Sequence, residues 1–156
     1  MSMRPLIYIA LVCLISCKAQ RPLGEPVEGL VLLQDDGYSG ISEFGAHAIQ
    51  EQKVLEHHYA QINRTRKPGL PLPDIDFGTE MALLIFLGEQ QGTKKVRVSK
   101  VAETGTEMVL AVEIGEDPEN NKAIDAGTLP ILQPFYLYKM PLSEKRIVFK
   151  KVDLEP

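Results

Sequence analysis

The chain has 156 residues, about one domain's worth. Its formal charge of −4 at pH 7 argues against nucleic acid as a partner, because phosphate binding draws on a surplus of Lys and Arg. Two cysteines are too few for a disulfide scaffold or a cysteine-built structural zinc site.

The amino terminus reads as an address. Arg4 precedes an apolar run from Leu6 to Ile15. As a helix such a run rises about 15 Å, half of a roughly 30 Å bilayer core, so a signal-peptide segment is expected and not a span. Leu14-Ile15-Ser16-Cys17 then has the order of a bacterial lipobox: aliphatic residue, small residue at the cut, and a thiol to accept diacylglycerol. Residues 1–16 are therefore expected to be a lipoprotein signal peptide, with Cys17 as the lipid attachment carrying palmitate-type acyl chains. Cleavage removes Cys13 and acylation blocks Cys17, so no free thiol is expected to take part in chemistry. Residues 17–27 are expected to form a tether, since Pro22, Gly24 and Pro26 disfavour helix and strand alike. Residues 28–156 are expected to form a single domain.

Within that domain Glu28 to Gln34 predicts a strand, ended by the turn signal Asp35-Asp36-Gly37. Gly45 to Ile49 predicts a second, weaker one. From Gln50 to Asn63, Val54, Leu55, Tyr59 and Ile62 recur at helical spacing. Thr65 to Asp74 carries Pro68, Pro71 and Pro73, which lack amide donors and fix φ, so a loop is expected. Met81 to Leu87 is apolar at every position, as in a central strand covered on both faces. Lys94 to Val98 and Met108 to Ile114 alternate, with Met108, Leu110, Val112 and Ile114 inward, and Gly105 lies in the turn of the hairpin they predict. Glu116 to Thr128 reads as a polar loop. Pro134 to Met140 and Arg146 to Val152 predict two closing strands. The expected fold class is α+β: a mostly antiparallel sheet or small β-sandwich with one main helix over about residues 50–63.

Few residues suggest chemistry. Glu56-His57-His58 is the sharpest ionisable group, yet helical neighbours point about 100° apart, and zinc helices place histidines at i and i+4. Joining them with His47 or Glu51 as a metal-dependent hydrolase is the remote alternative; a solvated helix face is expected, with no metal and no cofactor. Ser39, in Gly37-Tyr38-Ser39-Gly40, lacks the glycine spacing of a nucleophile elbow and reads as a turn. Asp117, Glu119, Asn120 and Asn121 offer oxygens for calcium. However, Lys122 stands where an EF-hand loop needs glycine, and Thr128 where it needs glutamate. No catalytic set emerges, so the chain is not expected to be an enzyme. Tyr136 and Tyr138 share one face of their strand, opposite Phe135 and Leu137, and are candidate partner contacts because tyrosine supplies large area at low entropy cost.

Ile75-Asp76-Phe77, a strand ending at Gly88, an alternating hairpin, a proline-bearing loop, Pro134-Phe135-Tyr136 and Lys139-Met140-Pro141 follow one another in a familiar order. The order resembles the C-terminal domain of the PrcB-like protease-complex accessory proteins of bacterial envelope lipoproteins, over roughly Asp74 to Val152. Tyr38-Ser39-Gly40, Ala48-Ile49 and the helix resemble the region upstream of that domain. The resemblance implies a small, mostly β, non-catalytic module that stabilises a protease assembly. Where that family tends to carry a Thr-Gly-Gly-Tyr-like stretch, this chain has Glu89-Gln90-Gln91-Gly92-Thr93-Lys94-Lys95-Val96. Gln90, Gln91, Gly92 and Thr93 are candidate partner contacts on that ground. The expected function is thus a membrane-tethered envelope protein, placed at the outer membrane, that binds a protein partner, an envelope protease or its complex. The alternative is a direct protease inhibitor of sandwich type.

Overall fold

The apolar run Met81 to Leu87 becomes the middle of the molecule. The computed structural model describes residues 22–122 and 129–154; the expected signal peptide, residues 1–16, and Cys17 lie outside them. In chain order the elements are β1 (Glu25–Pro26), β2 (Val31–Asp36), β3 (Phe44–Ile49), α1 (Gln52–Ile62), β4 (Glu80–Leu87), β5 (Gln90–Gln91), β6 (Lys94–Glu103), β7 (Glu107–Glu116), α2 (Pro118–Lys122), β8 (Ile131–Leu132), β9 (Phe135–Pro141) and β10 (Arg146–Asp153). A 3-10 turn, Asn63–Thr65, follows α1.

Two four-stranded sheets stack, with strand orders β1-β6-β7-β10 and β2-β9-β4-β3, and α1 covers the back of the second. The second sheet therefore has two buried faces, which is why β4 carries no polar residue between Met81 and Leu87. Met81, Leu83 and Ile85 meet Leu110 and Val112 of β7 between the sheets. Ala82, Leu84 and Phe86 point the other way and meet Leu55, Tyr59 and Ile62 of α1. Those three helical residues recur at spacings of four and three, one apolar stripe. Val54, grouped with them in the sequence reading, lies about 100° off the stripe and is 42% exposed. The helix has no side-chain N-cap and no acidic residue in its first turn, so docking on β4 and β9 holds it together.

The α+β sandwich matches expectation, as do α1, β4 and the β6–β7 hairpin. Three local readings change. Glu25–Pro26 lies within the expected tether but pairs with Lys100 and Ser99, and Val27 is buried in the core. Proline is tolerated there because β1 is an edge strand, where its missing donor would face outward. Pro118–Lys122 is a short helix in the expected polar loop; Asp117 caps it, its carboxylate accepting from the Asn120 amide and side chain. The rest of that loop, 123–128, lies outside the described residues. Finally, β10 runs parallel to β7, from Arg146↔Glu107 to Asp153↔Ile114. The chain leaves β9 in one sheet and enters β10 in the other, and such a crossover permits a parallel partner.

Turn chemistry fixes the entry and exit of β4. Asp76 accepts from the Gly78 amide at 3.0 Å and the Thr79 hydroxyl at 2.9 Å, as expected of a carboxylate at a strand entry. Gly88 ends the strand at a φ of 74°, and a Cβ there would lie 2.8 Å from the Ser42 carbonyl oxygen. Gly88→Ala is expected to cost about 1–3 kcal/mol, read as a lowered urea midpoint with unchanged slope.

Candidate functional site

Six residues of β3 pair with β4, from Phe44↔Leu87 to Ile49↔Ala82, and among the described residues no strand pairs with the other side. The Leu87 amide donates to the Pro134 carbonyl on the β9 side of β4. By alternation, Phe86, Leu84 and Ala82 direct their amide groups to β3, and the peptide groups of Phe44, Ala46 and Ala48 point outward, unpaired by any strand.

The other edges are blunted in ways β3 is not. Edge strand β2 has a register shift between Leu32 and Gln34 and ends in Asp35-Asp36. Edge strand β10 carries Lys150 and Lys151. The β3 sequence, Phe-Gly-Ala-His-Ala-Ile, has neither bulge, proline, lysine nor carboxylate. Such an edge is a template for another strand.

Side chains along β3 alternate between two clefts. Gly45, His47 and Ile49 face α1; Phe44, Ala46 and Ala48 face the first sheet. On the α1 side, Gly45, His47, His58, Arg64 and Phe86 line a cleft of about 490 Å³, with Glu43 at its wall. The second cleft, about 450 Å³, wraps the edge from His47 and His58 to Ala46, Ala48, Met81, Ile147 and Phe149, with Lys145 and Arg146 at the rim. Glycine and alanine at the edge are what leave these clefts open.

All three histidines of the chain meet at this edge. The His47 and His58 rings are 4.8 Å apart and each lies 6.0 Å from Phe86, while His57 stacks edge-on against His58 at 6.2 Å. The buried Nδ1 of His58 has no hydrogen-bond partner among the described residues. Burial, then the neighbouring His47 and His57, push the His58 pKa below the usual imidazole value. Unfolded, His58 binds its proton more readily, so its contribution to stability is present above about pH 6.5 and is lost as pH falls toward its folded value. Thermal midpoints are expected to fall between pH 7.5 and pH 5, and His58→Gln to flatten that slope. Among the described residues no group of three or more His, Cys, Asp or Glu is placed to hold a metal ion.

The residues singled out from sequence are distributed differently. Gln90 and Gln91 form β5, pairing with Leu132 and Ile131 of β8. Gly92 turns at a φ of 71°, and Asn121 accepts from the Thr93 amide at 2.9 Å and hydroxyl at 2.8 Å. Of these four, Gln91 is exposed and Gly92 is buried, so the segment is a tied ribbon at one end of the sandwich. Tyr136 and Tyr138 share a face as expected, but that face lies between the sheets. Their rings stack at 6.4 Å, Tyr138 is 8% exposed, and the Tyr136 hydroxyl donates to the Lys94 carbonyl at 2.9 Å. Burial pushes both phenols up to about 12. Tyr138 is thus a core residue and is withdrawn as a partner contact; Tyr136 is half-buried and committed to β6. Ser39 is buried in a turn where its hydroxyl accepts from the Ile41 amide. The sequence contained one missed signal for the true edge: a run of small residues and a histidine within an otherwise unguarded strand.

No protein-family model, curated protein or solved structure matches the chain. No helix among the described residues is long and apolar enough to cross a membrane.

Proposed function

We propose that this protein is a lipid-anchored, non-catalytic envelope module that binds and stabilises a protein partner, an envelope protease or its complex, through the β3 edge. The open edge between two clefts carries this reading. Outward peptide groups supply affinity by main-chain hydrogen bonds, and clefts on both faces sort the alternating side chains of an added strand. The lipobox order ending at Cys17 supports the anchor, and the order of segments from Ile75 to Pro141 supports the PrcB-like assignment.

Two experiments test it. Cys17→Ala is expected to shift the protein from the membrane pellet to the soluble fraction, since the acyl chains supply about 0.8 kcal/mol per buried methylene. A photo-crosslinking residue at Ala48 in the acylated protein is expected to capture one discrete partner, and the same residue at Val148 none. A chain recovered alone from cross-linked, detergent-solubilised membranes would overturn the partner reading. Inhibition of a purified protease that persists after β3 is disabled would favour the Gln90–Thr93 ribbon and the inhibitor alternative.

A further inference from the structure

We propose that the β3 edge accepts an extended partner segment that presents an acidic side chain to the α1-side cleft and an apolar one to the opposite cleft, and that mild acidification tightens this docking. The inference rests on the partner-binding reading and adds the chemistry and the proton linkage of the bound segment.

Charge on the two sides of the edge differs. The α1-side cleft is lined by His47, His58 and Arg64, with Glu43 the carboxylate at its wall. His57 lies against His58. The other charges of α1 are Lys53 and Glu56, and β4 contributes the uncharged Phe86. With His58 uncharged, Arg64 and Glu43 balance; as His58 takes up a proton the cleft becomes cationic. The opposite cleft shares His47 and His58 where it wraps the edge, and its floor on the side of the first sheet is apolar: Ala46, Ala48, Met81, Ile147 and Phe149. Its Lys145 and Arg146 are already engaged, Lys145 with Glu103 at 2.8 Å and Arg146 with Glu107. A strand added beside β3 sends successive side chains to opposite faces. Alternating acidic and apolar residues therefore match both sides at once.

Linkage makes the relation reciprocal. A carboxylate near His58 favours its charged form, so binding must take up protons and protons must favour binding.

The test uses the full chain in detergent and two capped eight-residue peptides. One alternates valine with glutamate; the other has glutamine at each glutamate. The glutamate peptide is expected to shift the amide resonances of Gly45 to Ile49 and to bind at least about fivefold tighter at pH 5.5 than at pH 7.5. The glutamine peptide is expected to show no such ratio, and His58→Gln to reduce it for the glutamate peptide. Calorimetry in two buffers of different ionisation enthalpy reads proton uptake without any substitution, and uptake is expected with the glutamate peptide alone. Equal affinity at the two pH values, shifts at β2 or β10 in place of β3, or no binding at millimolar peptide would overturn the inference. A partner captured from membranes at Ala48 while both peptides fail would sink this inference and leave the partner reading intact; peptide binding with no captured partner would do the reverse.

Discussion

Phe86→Ala should lower the unfolding free energy by about 3–5 kcal/mol, the range for deleting a fully buried ring. Phe86 is 1% exposed and touches more than one layer. Its ring lies 6.4 Å from Phe135 in the sheet and 6.0 Å from both His47 and His58. The vacated space cannot be refilled from β4, because Leu84 and Ala82 are pinned in register against β3 and β9. Phe86→Leu keeps most of the volume and should cost about 1 kcal/mol. Urea denaturation measures both. The floor of the α1-side cleft also sinks in the alanine variant, so the His47 and His58 ring resonances should move much more than in the leucine variant. Equal losses for the two variants would show that Phe86 is not packed as described.

Glu113→Ala should cost about 2–4 kcal/mol, because a buried carboxylate is here the shared acceptor for the Ser99 hydroxyl and the Leu23 amide. Glu113 is 1% exposed on the outer face of the first sheet. Its Oε1 accepts from the Ser99 hydroxyl at 2.7 Å and from the Leu23 amide at 2.9 Å, and Arg97 stands 3.7 Å from Oε2. Arg97 is half-exposed, so its share is screened by solvent and most of the loss comes from the two hydrogen bonds. Glu113→Gln preserves an acceptor at Oε1 and should lose only about 1 kcal/mol. The two differ locally as well: hydrogen exchange at Leu23 and Val27 should accelerate in the alanine variant and change little in the glutamine variant. Unchanged protection at Leu23 in both would mean that the segment is held by β1 pairing alone.

Residues whose environment is set by one neighbouring layer were the legible ones. Met81 to Leu87 needed only a uniform apolar run to announce a strand covered twice, and the alternation of β6 and β7 announced a hairpin. The same reasoning misplaced Tyr136 and Tyr138, because alternation tells which residues share a face and not whether that face is covered. In β9 both faces are, by α1 on one side and the first sheet on the other. Glu25–Pro26 escaped notice because proline forbids a central strand but not an edge. The site itself was the least legible part. His47 lies ten residues before His57, with a strand end and a helix start between them, and only the packing of α1 beside β3 brings the rings together. Which strand ends up unpaired is likewise a property of sheet order; the small residues of β3 mark it as unguarded without placing it at an edge.

The attachment of Leu23 to Glu113 fixes where a leash can begin. Of the expected tether, residues 17–27, Leu23 to Val27 are thus taken up by the fold. Strand β1 closes one flank of its sheet, and β10 closes the far flank, where Lys151 sits over the Phe44 ring of β3. With acyl chains on Cys17 as proposed, the molecule acquires a near side and a far side relative to the bilayer. On that proposal the β1–β2 flank would face the lipid headgroups and β3 the aqueous compartment, where a visitor could arrive without first displacing the membrane.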